Sequence, residues 1–388
     1  MEKREVTDER TLRTAQAAVE SGADWAIVST FDAFYYASQV DTLLETGPSP
    51  FAGGPVLAIV ARDGTLGVVV NNLDEPEARA STADLVATYR GLDLHDRSLV
   101  EERFRRAASE ALVTLGVAGR VAVQAATFPW SVGELLRERG ASVVALDNAL
   151  NRQRSTKTAA EVERLRWCAH LTDLGQAVAL RETRPGRSEL EVWAAVRLAL
   201  ESAEARRIPI AGDLTSGVKS TADVSGWPTD RMIREGDPVL CDLVPRARGY
   251  WGDSCNTIVV GDPPAGFSKL YRASTEALQT AIEYLRPGIS AGDLDRAVRT
   301  VLERHGVHDP IHVGHGIGTG AHEWPRIVPG EPAVIREGMV VMLEPGAYAA
   351  GVGGVRLEWM FLVTATGNEV LSGFPHATSP TAAGTGQH

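Results

Sequence analysis

Apolar residues in this chain fall into strand-length runs and helix-period repeats, and the way the two alternate predicts a two-part architecture. Residues Asp8 to Glu20 have helical periodicity, DWAIVST is a buried strand, and PVLAIVA, RDG and TLGVVV form a hairpin whose turn carries Gly64. SLVEERFRRAASEALVTLG is a helix, RVAVQAA a strand, VGELLRERG a short helix closed by Gly140, and ASVVALD a further strand. This alternation over residues 1–152 predicts a small α/β domain. It contains no glycine-rich phosphate loop and no cluster of reactive side chains, so its expected role is architectural.

A polar stretch, NRQRSTK from Asn151 to Lys157, marks the boundary, and a second domain is expected over 153–378. Thr158 with Glu161 and Ser188 with Glu191 are capping boxes opening helices that run to about Glu182 and Arg206. VLCDLVP and YWGDSCNTIVVG are strand-like, FSKLYRASTEALQTAIEYL and AGDLDRAVRTVLERHG are helical, and glycine-rich IHVGHGIGTG precedes strand-like MVVMLEPG and GVRLEWMFLV. Helices around a mainly antiparallel sheet make this an α+β arrangement. Residues 379–388 are expected to form a disordered tail.

Composition narrows the function classes. A chain of 388 residues exceeds one ordinary core, and 44% hydrophobic with 23% charged residues is globular. A net charge of -11 disfavours nucleic acid or an anionic membrane as partner, because phosphate binding needs clustered Lys and Arg. No run of 18 apolar residues exists to span a membrane, and the charged opening lacks the apolar core of a secretory signal. Cys168, Cys241 and Cys255, odd in number and in apolar surroundings, suit a reducing compartment, so a cytoplasmic protein is expected.

Reactive residues concentrate in the second domain. Asp242 and Asp253 stand eleven positions apart (253 − 242), where a turn containing Arg248, Gly249 and Gly252 between two strands would set them side by side. His305, His308, His312, His315 and His322 place five of the nine histidines within 18 residues. Glu344 follows the apolar run VVML, and Glu358 interrupts another, where a carboxylate is costly unless paired, for example with Arg356, or bound to metal. Four carboxylates (Asp242, Asp253, Glu344, Glu358) and the imidazole of His315 form a hard donor set for two divalent ions sharing a bridging water. A metal-dependent hydrolase is the reading this set supports.

GYWGD, GHGIG with a later HE, MLEPG and GVRLE, in this order and spacing, resemble the pita-bread family of methionine aminopeptidase, aminopeptidase P, prolidase and creatinase. PTDRMIREGDPVLCDL and STKTAAEVERLRWCAH resemble its approach to the first aspartate and its helical entry. The resemblance covers nearly the whole chain and implies a pita-bread catalytic domain behind a small α/β creatinase-like domain, in a homodimer. It implies two divalent ions drawn from manganese, cobalt, iron or zinc. Asp242 would chelate one, Asp253 and Glu358 would bridge both, and His315 and Glu344 would complete the other shell. Glu344 would take the proton of a metal-bridging hydroxide or water, His322 would hydrogen-bond the oxyanion, and Arg356 would hold a carboxylate of the substrate or beside the ligands. The implied reaction is Xaa-Pro aminopeptidase or prolidase-type cleavage of an amide or peptide C–N bond in a small molecule or short peptide.

The chain departs from the family at the rim. Ser225 stands seventeen residues before Asp242 (242 − 225), where the family carries a histidine. Ile311 stands four before His315 where a second histidine is usual, with His312 one place later, and strand alternation would turn His312 away unless the backbone shifts. Cys255, Asn256 and Thr257 replace a Thr-Arg-Thr, and Trp359 an acidic residue. Ser225 and His312 are therefore substrate-binding candidates, and a specialised substrate, such as a cyclic amidine or modified amino acid amide, is the alternative. Metal-independent creatinase-type chemistry and an inactive binding scaffold are lesser alternatives. Cys255 is read as a packed thiol over a nucleophile; Trp227 and Trp251 are either pocket or core aromatics.

Overall fold

The computed structural model describes residues 7–42, 55–91 and 95–377; the expected tail 379–388 lies outside the described residues. Two compact units divide at Arg154 and Ser155.

In the first unit, six strands, β1 (Trp25–Val28), β2 (Leu57–Ala61), β3 (Leu66–Asn71), β4 (Leu85–Tyr89), β5 (Arg120–Val123) and β6 (Ser142–Ala145), form one sheet in the order β4-β3-β2-β1-β5-β6. The hairpin β2/β3 is antiparallel, and β5 and β6 add parallel to β1. Alternate side chains supply two cores: Ala26, Val28, Val60 and Val68 lie on one face, and Ile27, Ile59, Val69 and Val121 on the other. Helices Glu9–Glu20 and Phe31–Ser38 cover the first face, and Val100–Thr114 and Trp130–Glu138 the second. Burial on both faces is why these strands read as unbroken apolar runs rather than alternating ones. The polar boundary stretch is mostly helix, Asp147–Ser155. Its composition reads as a linker because polar residues serve linkers and helix surfaces alike, yet Arg154 is buried against Asp32 at 2.8 Å.

The second unit opens on helices Ala159–Glu182 and Glu189–Glu204, each started by its capping box: Thr158 with Glu161, and Ser188 with Glu191. Its strands are β7 (Ile210–Ala211), β8 (Leu214–Ser216), β9 (Pro238–Asp242), β10 (Val244–Ala247), β11 (Tyr250–Trp251), β12 (Cys255–Val259), β13 (Gly314–Gly316), β14 (Glu323–Ile327), β15 (Val340–Leu343), β16 (Gly346–Ala349), β17 (Gly353–Arg356), β18 (Trp359–Val363) and β19 (Asn368–Val370). They form sheets β11-β10-β7, β12-β9-β8, β14-β13-β15-β18-β19 and β16-β17, with every pairing antiparallel. Helices Phe267–Tyr284 and Ala291–Arg304 pack their apolar faces onto β15, β17 and β18 through Leu270, Ala277, Leu294 and Val298. The segment GVRLEWMFLV is two strands, not one, broken at Leu357 and Glu358. That break turns the carboxylate of Glu358 out of strand alternation and lets its backbone pair with Cys255 of β12.

Candidate metal centre and substrate cavity

Three strand ends and one hairpin meet here. Asp242 closes β9, and Cys255 of β12 is its register partner, so Asp253, two residues earlier, emerges beside it. The turn at Arg248 and Gly249, both at positive φ, belongs to the separate hairpin β10/β11 inserted between the two aspartates, so they are neighbours across β9 and β12 rather than across one turn. His315 is central in β13, flanked by glycines for a steric reason: a Cβ on Gly314 would lie 2.0 Å from the Met342 carbonyl oxygen. A register shift between His315 and Gly316 opens the β13/β14 hairpin, and His322 returns with its ring 4.2 Å from that of His315. Glu344 follows β15 directly.

Ligand atoms of Asp253, His315 and Glu358 all lie within 4.8 Å of one another, and all three residues are buried. Nδ1 of His315 is 2.9 Å from the Gly316 carbonyl, which accepts its hydrogen, so the lone pair of Nε2 faces Glu344 Oε1 at 3.3 Å and Asp253 Oδ2 at 3.7 Å. Burial holds the His315 imidazole neutral, with its pKa lowered to about 4. Oδ1 of Asp242, Oδ1 of Asp253 and Oε2 of Glu358 are buried without a hydrogen-bond partner among the described residues. Unpartnered carboxylate oxygens around a neutral imidazole are costly by themselves and are the donor set of a hard or borderline divalent cation. A second triad, His312, His315 and His322, is also close enough to hold an ion, but His322 is exposed and the triad leaves the carboxylates uncompensated.

Electrostatics agree with that fit. Burial, reinforced by Asp242 and Glu344, pushes Asp253 well above the usual carboxylate range; burial and Asp253 do the same to Glu358. Burial raises Asp242 to about 6 against the opposing guanidinium of Arg356. Glu344 runs the other way: burial would raise it, but the His312 hydrogen bond and the positive charge around it hold it below its ordinary value. Burial drives the Cys255 thiol well up, which makes it the packed thiol expected and no nucleophile.

Above pH 6.5 the buried histidines have completed their contribution to stability, whereas carboxyls with raised folded pKa values stabilise fully only below their unfolded pKa and lose that contribution as pH rises through the folded one. Metal-free protein is therefore expected to lose stability as pH rises from the ordinary carboxylate range toward the raised pKa values of Asp253 and Glu358, by up to about 1.4 kcal/mol per pH unit for each proton that the folded state still holds and the unfolded chain has lost. Manganese-loaded protein is not, and metal binding at pH 7 is expected to release protons in calorimetry. Equal pH slopes of the melting temperature with and without metal would refute this assignment.

Arg356 does not hold Glu358. Its Nη2 forms a short charged hydrogen bond with Asp242 and lies 3.3 Å from Asp213, and its Nε is 4.0 Å from Glu344. The carboxylates it touches are the protein's own. For His312 the shifted-backbone case holds, and it faces inward: its Nε2 lies 2.8 Å from Glu344 Oε1. Residues 308–313 are not strand, so alternation does not apply. Asp309 accepts from the amides of Ile311 and Gly346, and Arg299 binds the carbonyls of Asp309 and Ile311, which together turn His312 inward. Nδ1 of His312 accepts from Arg326 Nη2 at 2.9 Å, so Nε2 carries the hydrogen and presents it toward Glu344 Oε1.

A cavity of about 710 Å³ opens over these residues, lined among others by Asp213, Ser225, His312, His322, Arg326 and Arg356. Ser225 lines it and donates to Asp213 Oδ1 at 2.9 Å. Trp251 is buried and its amide donates to Gly318, so it is a core aromatic. Trp227, 84% exposed, borders a smaller neighbouring cavity. Sequence reasoning missed Asp213, Asp309, Arg299 and Arg326. Asp309-Pro310 carried a turn signal ahead of the histidines; Asp213 carried none, since its partners lie far along the chain.

The family model of metallopeptidase family M24 matches residues 163–365, which include all five ligand candidates. The chain belongs to metallopeptidase family M24. This M24 member also matches the creatinase/prolidase N-terminal domain over residues 10–156. It is 28% identical to a Xaa-Pro dipeptidase of Pyrococcus horikoshii over 348 residues, 89% of this chain and 93% of that protein. The prolidase structure from Pyrococcus horikoshii OT3 superposes with a TM-score of 0.80 at 24% identity, covering 96% of this chain and 100% of that one, and so shares the fold. The prolidase from Pyrococcus furiosus gives 0.76 at 27% identity, over 93% of this chain and 99% of that one. The M24 chain is thus of a metallopeptidase family, a metal-dependent hydrolase with the creatinase-like two-domain layout. Among the described residues no helix is long and apolar enough to cross a membrane.

Proposed function

We propose that this protein is a two-metal dipeptidase that cleaves the peptide bond of short substrates, Xaa-Pro dipeptides foremost. The observation that carries the reading is the cavity: it joins the buried carboxylate cluster to an exposed guanidinium, Arg326, which donates to His312 rather than to an acid. A guanidinium at the rim is a receptor for the free carboxylate that ends a dipeptide. The relatives' printed names, Xaa-Pro dipeptidase and prolidase, support the same substrate.

Asp242, Asp253, His315, Glu344 and Glu358 would hold two divalent ions, manganese, cobalt, zinc or iron. When bound, such ions acidify a shared water and polarise the scissile carbonyl. Glu344, ionised at neutral pH, takes the proton from the attacking water and passes it to the leaving nitrogen. His312 orients that carboxylate through its Nε2 hydrogen, and His322 donates to the oxygen that gains charge. Arg356 keeps Asp242 ionised against burial. Composition and cysteine usage support a cytoplasmic setting, and the family resemblance supports a homodimer, which sedimentation would read directly.

The test is hydrolysis of Ala-Pro, Ala-Ala and Ala-Pro-amide by metal-stripped protein before and after manganese is restored. Ala-Pro should be cleaved only with metal, and amidation, which removes the carboxylate facing Arg326, should raise KM about tenfold or more. Failure to cleave any dipeptide, with cyclic amidines or amino acid amides turned over instead, would favour a specialised hydrolase of the same fold.

A further inference from the structure

Four carboxylates line the cavity: Asp213, Asp242, Asp309 and Glu344. Asp242 and Glu344 belong to the candidate metal centre. Both oxygens of Asp309 are taken by backbone amides, those of Ile311 at 3.0 Å and Gly346 at 2.9 Å. Asp213 remains. Its Oδ1 accepts from Ser225 Oγ at 2.9 Å and the Gly226 amide at 3.2 Å, while Oδ2 has Arg356 Nη2 at a longer 3.3 Å, which leaves acceptor capacity on the oxygen.

The carboxylate is held in place with unusual thoroughness. The backbones of Asp213 and Asp242 exchange hydrogen bonds of 3.1 and 2.9 Å. Gly212, at φ 113, permits this approach, because a Cβ there would lie 2.3 Å from the Asp242 carbonyl oxygen. Across from the Asp213 side chain the loop carrying Ser225 is itself constrained: Val224, β-branched, sits at φ 75, and its carbonyl accepts from Arg356 Nη1 at 3.1 Å. A non-glycine residue kept at positive φ beside a cavity is a mark of a site whose geometry matters more than local ease.

We propose that Asp213 is a specificity-determining residue that receives the free α-ammonium group of the substrate, so that the cavity reads a zwitterion: ammonium at Asp213, carboxylate at Arg326. An ammonium brings three donors to an anion that still has acceptor capacity. Ser225 then has a role that a histidine at its position would not fill, since its hydroxyl orients Asp213 without adding positive charge to compete with the ligand. For its substrate class this assignment rests on the dipeptide reading above.

The test is calorimetric binding of Ala-Pro and N-acetyl-Ala-Pro to manganese-loaded wild type and Asp213→Asn, which keeps the Oδ1 acceptor for Ser225 and Gly226 but loses the charge. To prevent turnover from obscuring binding, the same titrations are run with cleavage-resistant ketomethylene forms of both ligands, in which a ring carbon replaces the proline nitrogen. Wild type should prefer the free amine, and Asp213→Asn should reduce that preference about tenfold while N-acetyl affinity, manganese affinity and melting temperature change little. Retained preference in the variant, with normal hydrolysis, overturns this assignment alone. Equal weakening of both ligands together with manganese reduces Asp213 to a tether of Arg356 and also overturns it. Binding of neither ligand by wild type overturns it together with the dipeptide reading.

Discussion

Replacing Glu344 by Gln is expected to lower kcat/KM on Ala-Pro by about 10²- to 10⁴-fold, the range of a lost general base. The substitution keeps the shape and one acceptor oxygen, but an amide cannot take a proton. Glu344 is suited to that task by its surroundings: it sits at 2.8 Å from His312 Nε2, and this neighbour with Arg356 outweighs the effect of burial, so it is ionised when substrate arrives. Asp253 and Glu358, by contrast, are pushed toward their protonated forms until a cation compensates them. Metal content measured on the same preparation separates the two contributions of this residue. A loss below tenfold in protein that retains its metal would remove Glu344 from the proton-transfer role.

Arg356→Met should be the most damaging substitution for stability. The guanidinium is buried and compensates Asp242, Asp213 and Glu344 at once, while also holding the carbonyl of Val224. Removing one partner from a buried ionic group leaves the others unpaired, at a cost of about 3–5 kcal/mol. For a unit of this size that corresponds to a fall in Tm on the order of 10 °C. The fall should be larger in metal-free protein than in manganese-loaded protein, since cations would take over part of the compensation. A Tm within 2 °C or so of wild type in the metal-free state would show that these carboxylates are protonated without Arg356, contrary to the network described.

Much of the architecture was legible because local signals agreed with tertiary demands. The capping boxes at Thr158 and Ser188 open helices where their spacing says they do, and the apolar runs DWAIVST and PVLAIVA become strands of a sheet covered on both faces. Reading failed where one composition serves two structures. NRQRST looks like a linker and is mostly helix, and GVRLEWMFLV looks like one strand and is two. The direction of His312 stayed conditional for a related reason: the alternation rule presumes a strand, and the segment is instead bent by Asp309 and Arg299.

By itself the chain determined the kinds of group at the candidate centre, because carboxylates and an imidazole set among apolar strands have few affordable fates other than pairing or metal binding. It also determined the two-domain order, through periodicity and caps. Only the tertiary structure decided which charges face one another. Asp213 reaches Asp242 across 29 positions (242 − 213) through a backbone pairing that requires Gly212, and Arg356 meets both from a third strand. Such partners are chosen by strand pairing between distant segments, which no local pattern encodes, and they convert a generic donor set into a cavity that distinguishes one end of a substrate from the other.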